Sequence, residues 1–589
     1  MLSFLVFDNN RPAAGRPLRH AYLVGPEGVP VAGEIHDEDG LIHCVKTTTE
    51  AAGLATQVDL DQPTLDEFMP ADEAAELGLV PLGSLTLQTC LLPERNAPYL
   101  LSLELARHRI MLFLNKLEQW QLAHLAPTDP VMRLFELARL AFTDALVAQR
   151  HEAPPECRGF SPDAHKLALR ALWLAVEASE RLAARHAQQQ FTQRADGSLY
   201  RSLAEAAGHQ PPAKGAPPPI MNQQSFGVVV PQPPAIGVAV SPGAFGDPAK
   251  QALKAGADFI VTPMRWTDME PAEGSYSYQG TDRWIEWAVR DARLPVVAGP
   301  IIDFSPGSLP EWMFIWENDY DTLRELVYEH VRAIVTRYRR TVARWTICSG
   351  LHLNTALRIN FEQMMDLTRI AAVVVRKLHP AAKIQVEIAE PWGESYTANR
   401  RSLPPSLYAE MIAQAGVAID TLGVRVHMGE ARTGGSTRDL MAFSTMLDHY
   451  AGLDRPVALT AVGAPARPPA SSPADTPAGW WRSPWSDAAQ AHWLEAYLGL
   501  ALSKPYVQSV CWQGVTDAVT PGAAAGLIND NGTARPALER LAALRKCVTS
   551  RTPARALALL AEGPTAGPAD RHSGGRSDGQ RGGAIGATA

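Results

Sequence analysis

The rhythm of apolar and polar residues changes twice along the chain, and each change marks a different kind of element. Up to about residue 100 the apolar runs are short, β-rich and cut by Gly, Pro and Asp. Ala21-Tyr-Leu-Val24, Leu41-Ile-His-Cys-Val45 and Leu85-Thr-Leu-Gln-Thr89 read as strands, and the apolar run within Met1 to Asp8 reads as a first one. From Tyr99 the spacing becomes helical. Apolar residues recur every three or four positions from Leu100 to Leu122, Val131 to Ala148 and Ala164 to Ala187. Thr128-Asp-Pro and Ser161-Pro-Asp supply N-terminal caps for the second and third of these helices.

Residues 1–100 therefore read as a small β module and 101–206 as a helical segment. A Pro-rich linker follows over 207–235, where Gln210-Pro-Pro and Ala216-Pro-Pro-Pro219 favour extended backbone. From 236 to 548 short apolar runs alternate with helix-length stretches. Eight strand candidates begin at Gly237, Phe259, Pro295, Arg344, Lys383, Thr421, Pro456 and Val507. That alternation fits a (β/α)₈ barrel, and periodicity alone leaves a doubly wound sheet open. Residues 549–589, rich in Gly, Arg, Ser and Asp towards the end, read as a disordered tail.

Composition narrows the function classes. Among 589 residues, 46% hydrophobic and 20% charged describe a soluble globular protein, and a formal net charge of −8 gives no attraction to nucleic acid or anionic membrane. No apolar stretch approaches the length of a membrane span. The N-terminal run lacks a basic flank and reaches Asp8 too early for a signal peptide, so a cytoplasmic location is expected. The six cysteines are scattered, which indicates neither a disulfide framework nor a metal site, and no cofactor motif is present. The 14 Trp nearly equal the 15 Phe. A Trp face stacks well on sugar C–H groups, and it equally fills a core.

Several strings in the barrel region resemble glycoside hydrolase family 10, the xylanase family. Met264-Arg-Trp-Thr-Asp-Met-Glu-Pro-Ala-Glu-Gly-Ser-Tyr-Ser-Tyr278 is similar to the family string after the second strand, and Leu309-Pro-Glu-Trp312 to the one after the third. Arg337-Tyr-Arg-Arg with Trp345-Thr-Ile-Cys resembles the approach to the fourth strand. Gly416-Val-Ala-Ile-Asp420 with Gly423-Val-Arg-Val-His427, then Val510-Cys-Trp-Gln-Gly-Val-Thr-Asp517, and finally Arg535-Pro-Ala-Leu complete the series in order. The resemblance implies a TIM barrel over about 235–545 and an endo-acting β-1,4-xylanase with two catalytic carboxyls.

At both catalytic positions this chain departs from the family. The string that ends in the acid/base reads Trp345-Thr-Ile-Cys-Ser-Gly350, and the nucleophile string reads Thr460-Ala-Val-Gly463. Gly350 and Ala461 therefore stand where the resemblance puts the two glutamates, so the retaining mechanism is not expected. Glu387, Glu390 and Glu394, after the fifth strand, form a new carboxylate cluster that would supply relocated catalytic groups, or else line a site for sugar hydroxyls. Arg265, Trp266, Glu270, Asp303, Arg425, His427 and Trp512 are the expected saccharide contacts. His427 also reads as an ordinary barrel histidine, and the two Trp as packing under loops. Three readings follow: a hydrolase with moved carboxylates, a pseudoenzyme that binds saccharide without cleaving it, and an intracellular scaffold. The 464–485 insertion serves as a lid, or plugs the cleft in the scaffold reading. Oligomeric state is not legible in the sequence.

Overall fold

In the computed structural model, residues 1–8, 11–13, 18–38, 40–149, 157–199, 233–305, 307–469, 478–517 and 524–562 are described. The expected linker lies almost wholly outside them. Eight parallel strands close into a barrel: β7 Ala235–Ala239, β8 Phe259–Thr262, β9 Val296–Ala298, β10 Val342–Ser349, β11 Lys383–Ile388, β12 Thr421–His427, β13 Val457–Gly463 and β14 Val507–Trp512. β14 pairs with β7, and β9 pairs with β10, so the ring is complete. The doubly wound alternative is excluded. All eight overlap the strand candidates expected, because β-branched and aromatic runs there are bounded by turn residues on both sides.

The front of the chain builds two small sheets. β1 Leu2–Leu5 lies between Tyr99–Leu100 and β4 Leu41–Lys46, and β4 also pairs with β3 Gly33–Glu38. In the second sheet, β5 Gly53–Leu60 lies between β2 Tyr22–Val24 and β6 Gly83–Gln88. Three helices follow: α1 Leu101–Gln119, α2 Pro130–Ala148 and α3 Pro162–Asp196. The Asp129 and Ser161 side chains accept from Val131 N and Asp163 N, so both expected caps form. α3 runs on well past Ala187, to Gly197, whose φ of 75° ends it in the left-handed conformation.

The front segment and the barrel share one continuous apolar cluster, from Leu2 to Ala561. The contact carries buried charge. Arg109 of α1 forks onto Asp439 at 2.6 and 2.9 Å, and Asp439 itself caps the barrel helix α4 Leu440–Ala451. Arg194 at the end of α3 donates to the carbonyls of Leu502, Lys504 and Val507, which close the barrel helix α5 Asp487–Ser503 and open β14. Part of the 464–485 insertion joins the front sheet: Trp480–Trp481 pairs antiparallel with Gly83 and Ser84 of β6. Its Arg482 then reaches Glu177 at 2.7 Å and Glu180 at 3.0 Å on α3.

The expected disordered tail needs correction over its first part. Residues 555–562 form helix α6, whose Ala556, Leu557 and Ala561 are buried in the shared cluster. Ala556 N donates to Glu495 of α5. The apolar spacing of Ala556, Leu557, Leu560 and Ala561 was diluted by the Gly- and Arg-rich composition beyond it, which averaging over the whole tail obscured.

Removing Arg482 would leave two buried carboxylates with one cation fewer between them. Arg482→Met is expected to lower unfolding free energy by about 3 kcal/mol. The check is urea denaturation, read as a shift of midpoint at unchanged slope.

Candidate functional site

Beyond the C-terminal ends of the barrel strands opens a cavity of about 680 Å³. Loops at this end carry the chemistry in barrels of this kind, because the strands fix where each side chain begins. Arg425, near the end of β12, sits at its centre. One guanidinium nitrogen lies 3.5 Å from Glu387 and 3.9 Å from Asp303, and the other donates to Ser305 Oγ at 2.9 Å. Glu387, on the last turn of β11, accepts from Ser349 Oγ at 2.6 Å. Asp303 accepts from Ser305 N at 2.9 Å and Ser308 Oγ at 3.0 Å. The two carboxylate oxygens are therefore at most 7.4 Å apart, the sum of their distances to the shared nitrogen.

Gly350 closes against this cluster. Its φ of +67° is left-handed, and a Cβ there would meet Ser305 Oγ at 2.8 Å and Asp303 Oδ1 at 3.5 Å. Ser305 Oγ is the atom that a Cβ at this position would displace, and Asp303 lies at ordinary contact distance. Ala461 lies on β13 directly across from Arg425 in the strand register, and it lines the cavity without offering a polar atom.

A second charged group stands on the rim. Arg432 donates to Glu430 at 2.5 Å and lies 3.7 Å from Glu390. Its other nitrogen is 3.2 Å from His427 Nδ1. Nδ1 also lies 3.4 Å from Glu430 Oε1, and Nε2 has no partner among the described residues. Burial pushes His427 down to about 4, which keeps the ring neutral at pH 7. Burial pushes the Glu430 carboxyl up, but His427 and Arg432 together hold it below the usual range. Burial raises Glu390, against an opposing hydrogen bond from Ser395. Glu390 has a φ of +46°, which directs its side chain across Gly434.

The structure thus brings Glu387, Glu390, Asp303, Arg425, His427 and Arg265 to one cavity. Four other expected site residues lie elsewhere. Trp512 alternates with the inward Cys511 and Gln513, so its ring points out of the barrel, fully buried, with Nε1 on Ala525 O. Trp266 stacks on His330 at a centroid separation of 4.0 Å. Glu270 binds Trp266 Nε1 at 2.9 Å and Gly274 N at 2.8 Å, holding the loop behind that ring. Packing under loops is the role both Trp take.

Glu394 is also outside the cavity. It faces the front module, paired with Arg438 at 2.7 Å and with His20 at 3.6 Å, while Gly434 N donates at 2.8 Å. Arg438 reaches on to Tyr22 of β2. No described residue of the 464–485 insertion lines the cavity. Ser305, Ser349, Gln385 and Arg432 were missed by sequence reasoning. Alternation from Glu387 along β11 identifies Gln385 as inward; the two serines and Arg432 carry no such signal.

Burial pushes the Glu394 carboxyl up, but His20 and Arg438 more than reverse it and hold it at about 2. A folded value below the ordinary 4.5 stabilises fully above pH 4.5, and that contribution is lost as pH falls towards 2. Glu394→Gln is expected to cost on the order of 3 kcal/mol at pH 7. The gap to the parent should close near pH 2, which urea unfolding at a series of pH values checks.

A family model for "Glycosyl hydrolase family 10" matches residues 229–544, more than half of the chain. "Endo-1,4-beta-xylanase 2" of Aureobasidium pullulans is 24% identical over 235 residues, which cover 36% of this chain and 61% of that relative. Solved structures with similar folds include xylanase 10B of Thermotoga maritima, at 17% identity and a TM-score of 0.41, covering 54% of this chain and 97% of that one. Xylanase 10B of Thermotoga petrophila RKU-1, in complex with xylobiose, has 15% identity and a TM-score of 0.39, covering 54% and 95%.

Proposed function

The chain belongs to glycosyl hydrolase family 10, and we propose that it binds a β-linked oligosaccharide or polysaccharide at the C-terminal end of its barrel without cleaving it by the family's retaining mechanism. The observation that carries this reading is the surrounding of Gly350. A retaining glycosidase needs one carboxyl to protonate the leaving group and another to attack. Resemblance puts these at 350 and 461, which are Gly and Ala. At 350 the backbone is left-handed and a Cβ would press on Ser305 Oγ at 2.8 Å, so the position favours glycine.

The carboxylates that remain at the centre are ion-paired. Glu387 and Asp303 share Arg425. What the cavity offers is hydrogen bonding: carboxylates as acceptors, Arg265 and Arg425 as donors. Closely spaced donors and acceptors of mixed sign suit the hydroxyls of a sugar. Saccharide binding without family-type turnover, a pseudoenzyme, is the reading this supports.

A second reading, hydrolysis by relocated groups, is favoured by Glu390. Burial raises its carboxyl, as a general acid requires, and Arg432 at 3.7 Å opposes this. The two readings separate on product. Xylobiose, longer xylo-oligosaccharides and mixed-linkage glucan fragments are incubated with the full-length protein for days and resolved by chromatography. No shorter product is expected, while calorimetric titration shows binding of at least one of them. Defined products that vanish in Glu390→Gln protein would instead establish relocated hydrolysis.

A further inference from the structure

The cavity does not end at the mouth. It continues down the barrel axis, lined there by Thr346, Gln385, Ala458, Thr460, Ser509 and Cys511. Eight-stranded barrels ordinarily fill this space with layers of bulky branched side chains. Here Thr346, Gln385, Ala458, Thr460 and Ser509 are small or polar and Gly423 of β12 adds no side chain, while Phe259, Val261 and Val297 form an apolar wall with Ala239 and Cys511. The lumen is left partly open on the side where bulky side chains are absent.

Its floor is a guanidinium. Arg344 of β10 donates to Ser509 Oγ on β14 at 3.1 Å. In the closed ring these strands stand opposite one another, so the side chain crosses the lumen. No carboxylate among the described residues lies within ion-pair distance of it. Asp420, the acidic group that acts on it from further off, is engaged by Arg376 and Lys383. Above Arg344, Gln385 gives its amide N–H to Thr346 at 2.7 Å, yet its Oε1 has no partner among the described residues. Thr460 Oγ1 and both amide atoms of Gln513 are likewise buried without one. Buried polar atoms are normally satisfied; these are covered as they stand, and a rotation of each side chain would turn it towards something that enters the lumen.

The chemistry of the complement follows. Unpartnered amide and hydroxyl oxygens call for hydroxyl donors, and an unpaired guanidinium calls for a carboxylate. A volume of about 680 Å³ is in the ordinary range for small-molecule sites. We propose that the barrel lumen is a binding pocket for the carboxylate-bearing end unit of a saccharide, a uronic acid, which enters end-on from the mouth and places its carboxylate on Arg344 and its hydroxyls on Gln385, Thr460 and Gln513. The pocket selects a chain end, whereas an open groove would take the middle of a chain. This rests on the reading that the mouth admits saccharide.

The test is calorimetric titration of the full-length protein with glucuronate, glucose, acetate and xylobiose. Glucuronate is expected to bind about tenfold or more tighter than glucose or acetate, the margin a charge-assisted hydrogen bond gives. Arg344→Gln should abolish that margin. Ala458→Leu, which fills the lumen and leaves the arginine in place, should weaken glucuronate by a similar factor. Melting curves of both variants establish that they fold, and either one suffices. Equal binding of glucuronate and glucose overturns the pocket, as does a margin that survives in both variants. If xylobiose binds while glucuronate does not, the lumen pocket fails and the saccharide reading of the mouth stands. If glucuronate binds with the expected margin and xylobiose does not, the pocket stands and the neutral β-linked ligand at the mouth is the part that fails.

Discussion

Arg425 is the group on which the mouth of the barrel depends. It projects from β12 between Glu387 on β11 and Asp303 beyond β9, and it binds Ser305 on the same side. Two carboxylates this close in a half-buried cleft repel one another unless a cation stands between them. The rest of the local structure follows from that cation. Ser349 turns its hydroxyl onto Glu387, and Ser305 and Ser308 satisfy Asp303. The chain then passes Gly350 in a left-handed conformation that leaves this cluster undisturbed. The mouth of the barrel is held together by these ion pairs.

Charge also joins the front segment to the barrel. Arg109 with Asp439, Arg482 with Glu177 and Glu180, and Arg438 with Glu394 and Tyr22 are buried pairs whose members come from distant parts of the chain. Asp448 gathers Lys116 from α1 and Lys504 from beyond α5, each at 2.9 Å. Buried pairs contribute little net stability compared with apolar packing, and each is costly to break. They fix which surface of the front segment meets which surface of the barrel. A carboxylate such as Glu394, close in sequence to the cleft residue Glu390, is in this way assigned to the interface.

The barrel was legible because its strands are short β-branched runs between turn residues, and the helices of the front because their apolar period and caps are strong. Helix α6 was not, since its short apolar run is embedded in a segment whose composition is otherwise that of a disordered chain. At the site, Glu387, Asp303 and Arg425 were legible as polar residues at strand ends. Trp266, Trp512 and Glu270 were expected there and lie elsewhere. Whether a strand-end residue such as Trp512 faces the lumen or the helices depends on a parity that one bulge reverses, and β13 and β14 carry such register shifts. Glu394 was misplaced because its partners, His20 and Arg438, lie 374 and 44 positions away. Arg344 escaped notice since nothing local marks a strand arginine as turning inward.

The central claim is that the cleft has been reorganised around Arg425 and Gly350, rather than stripped of two side chains and otherwise preserved. Restoring both carboxyls tests it most directly. Gly350→Glu and Ala461→Glu are combined in the full-length protein, folding is verified by circular dichroism, and release of reducing sugar from xylan is followed. A reorganised site predicts no hydrolysis above the parent, because the new Cβ at 350 meets Ser305 and Asp303 and the new carboxyl at 461 faces the Arg425 cluster. Xylan cleavage by the double variant would contradict this, and would mean that the family's machinery is intact apart from the two residues.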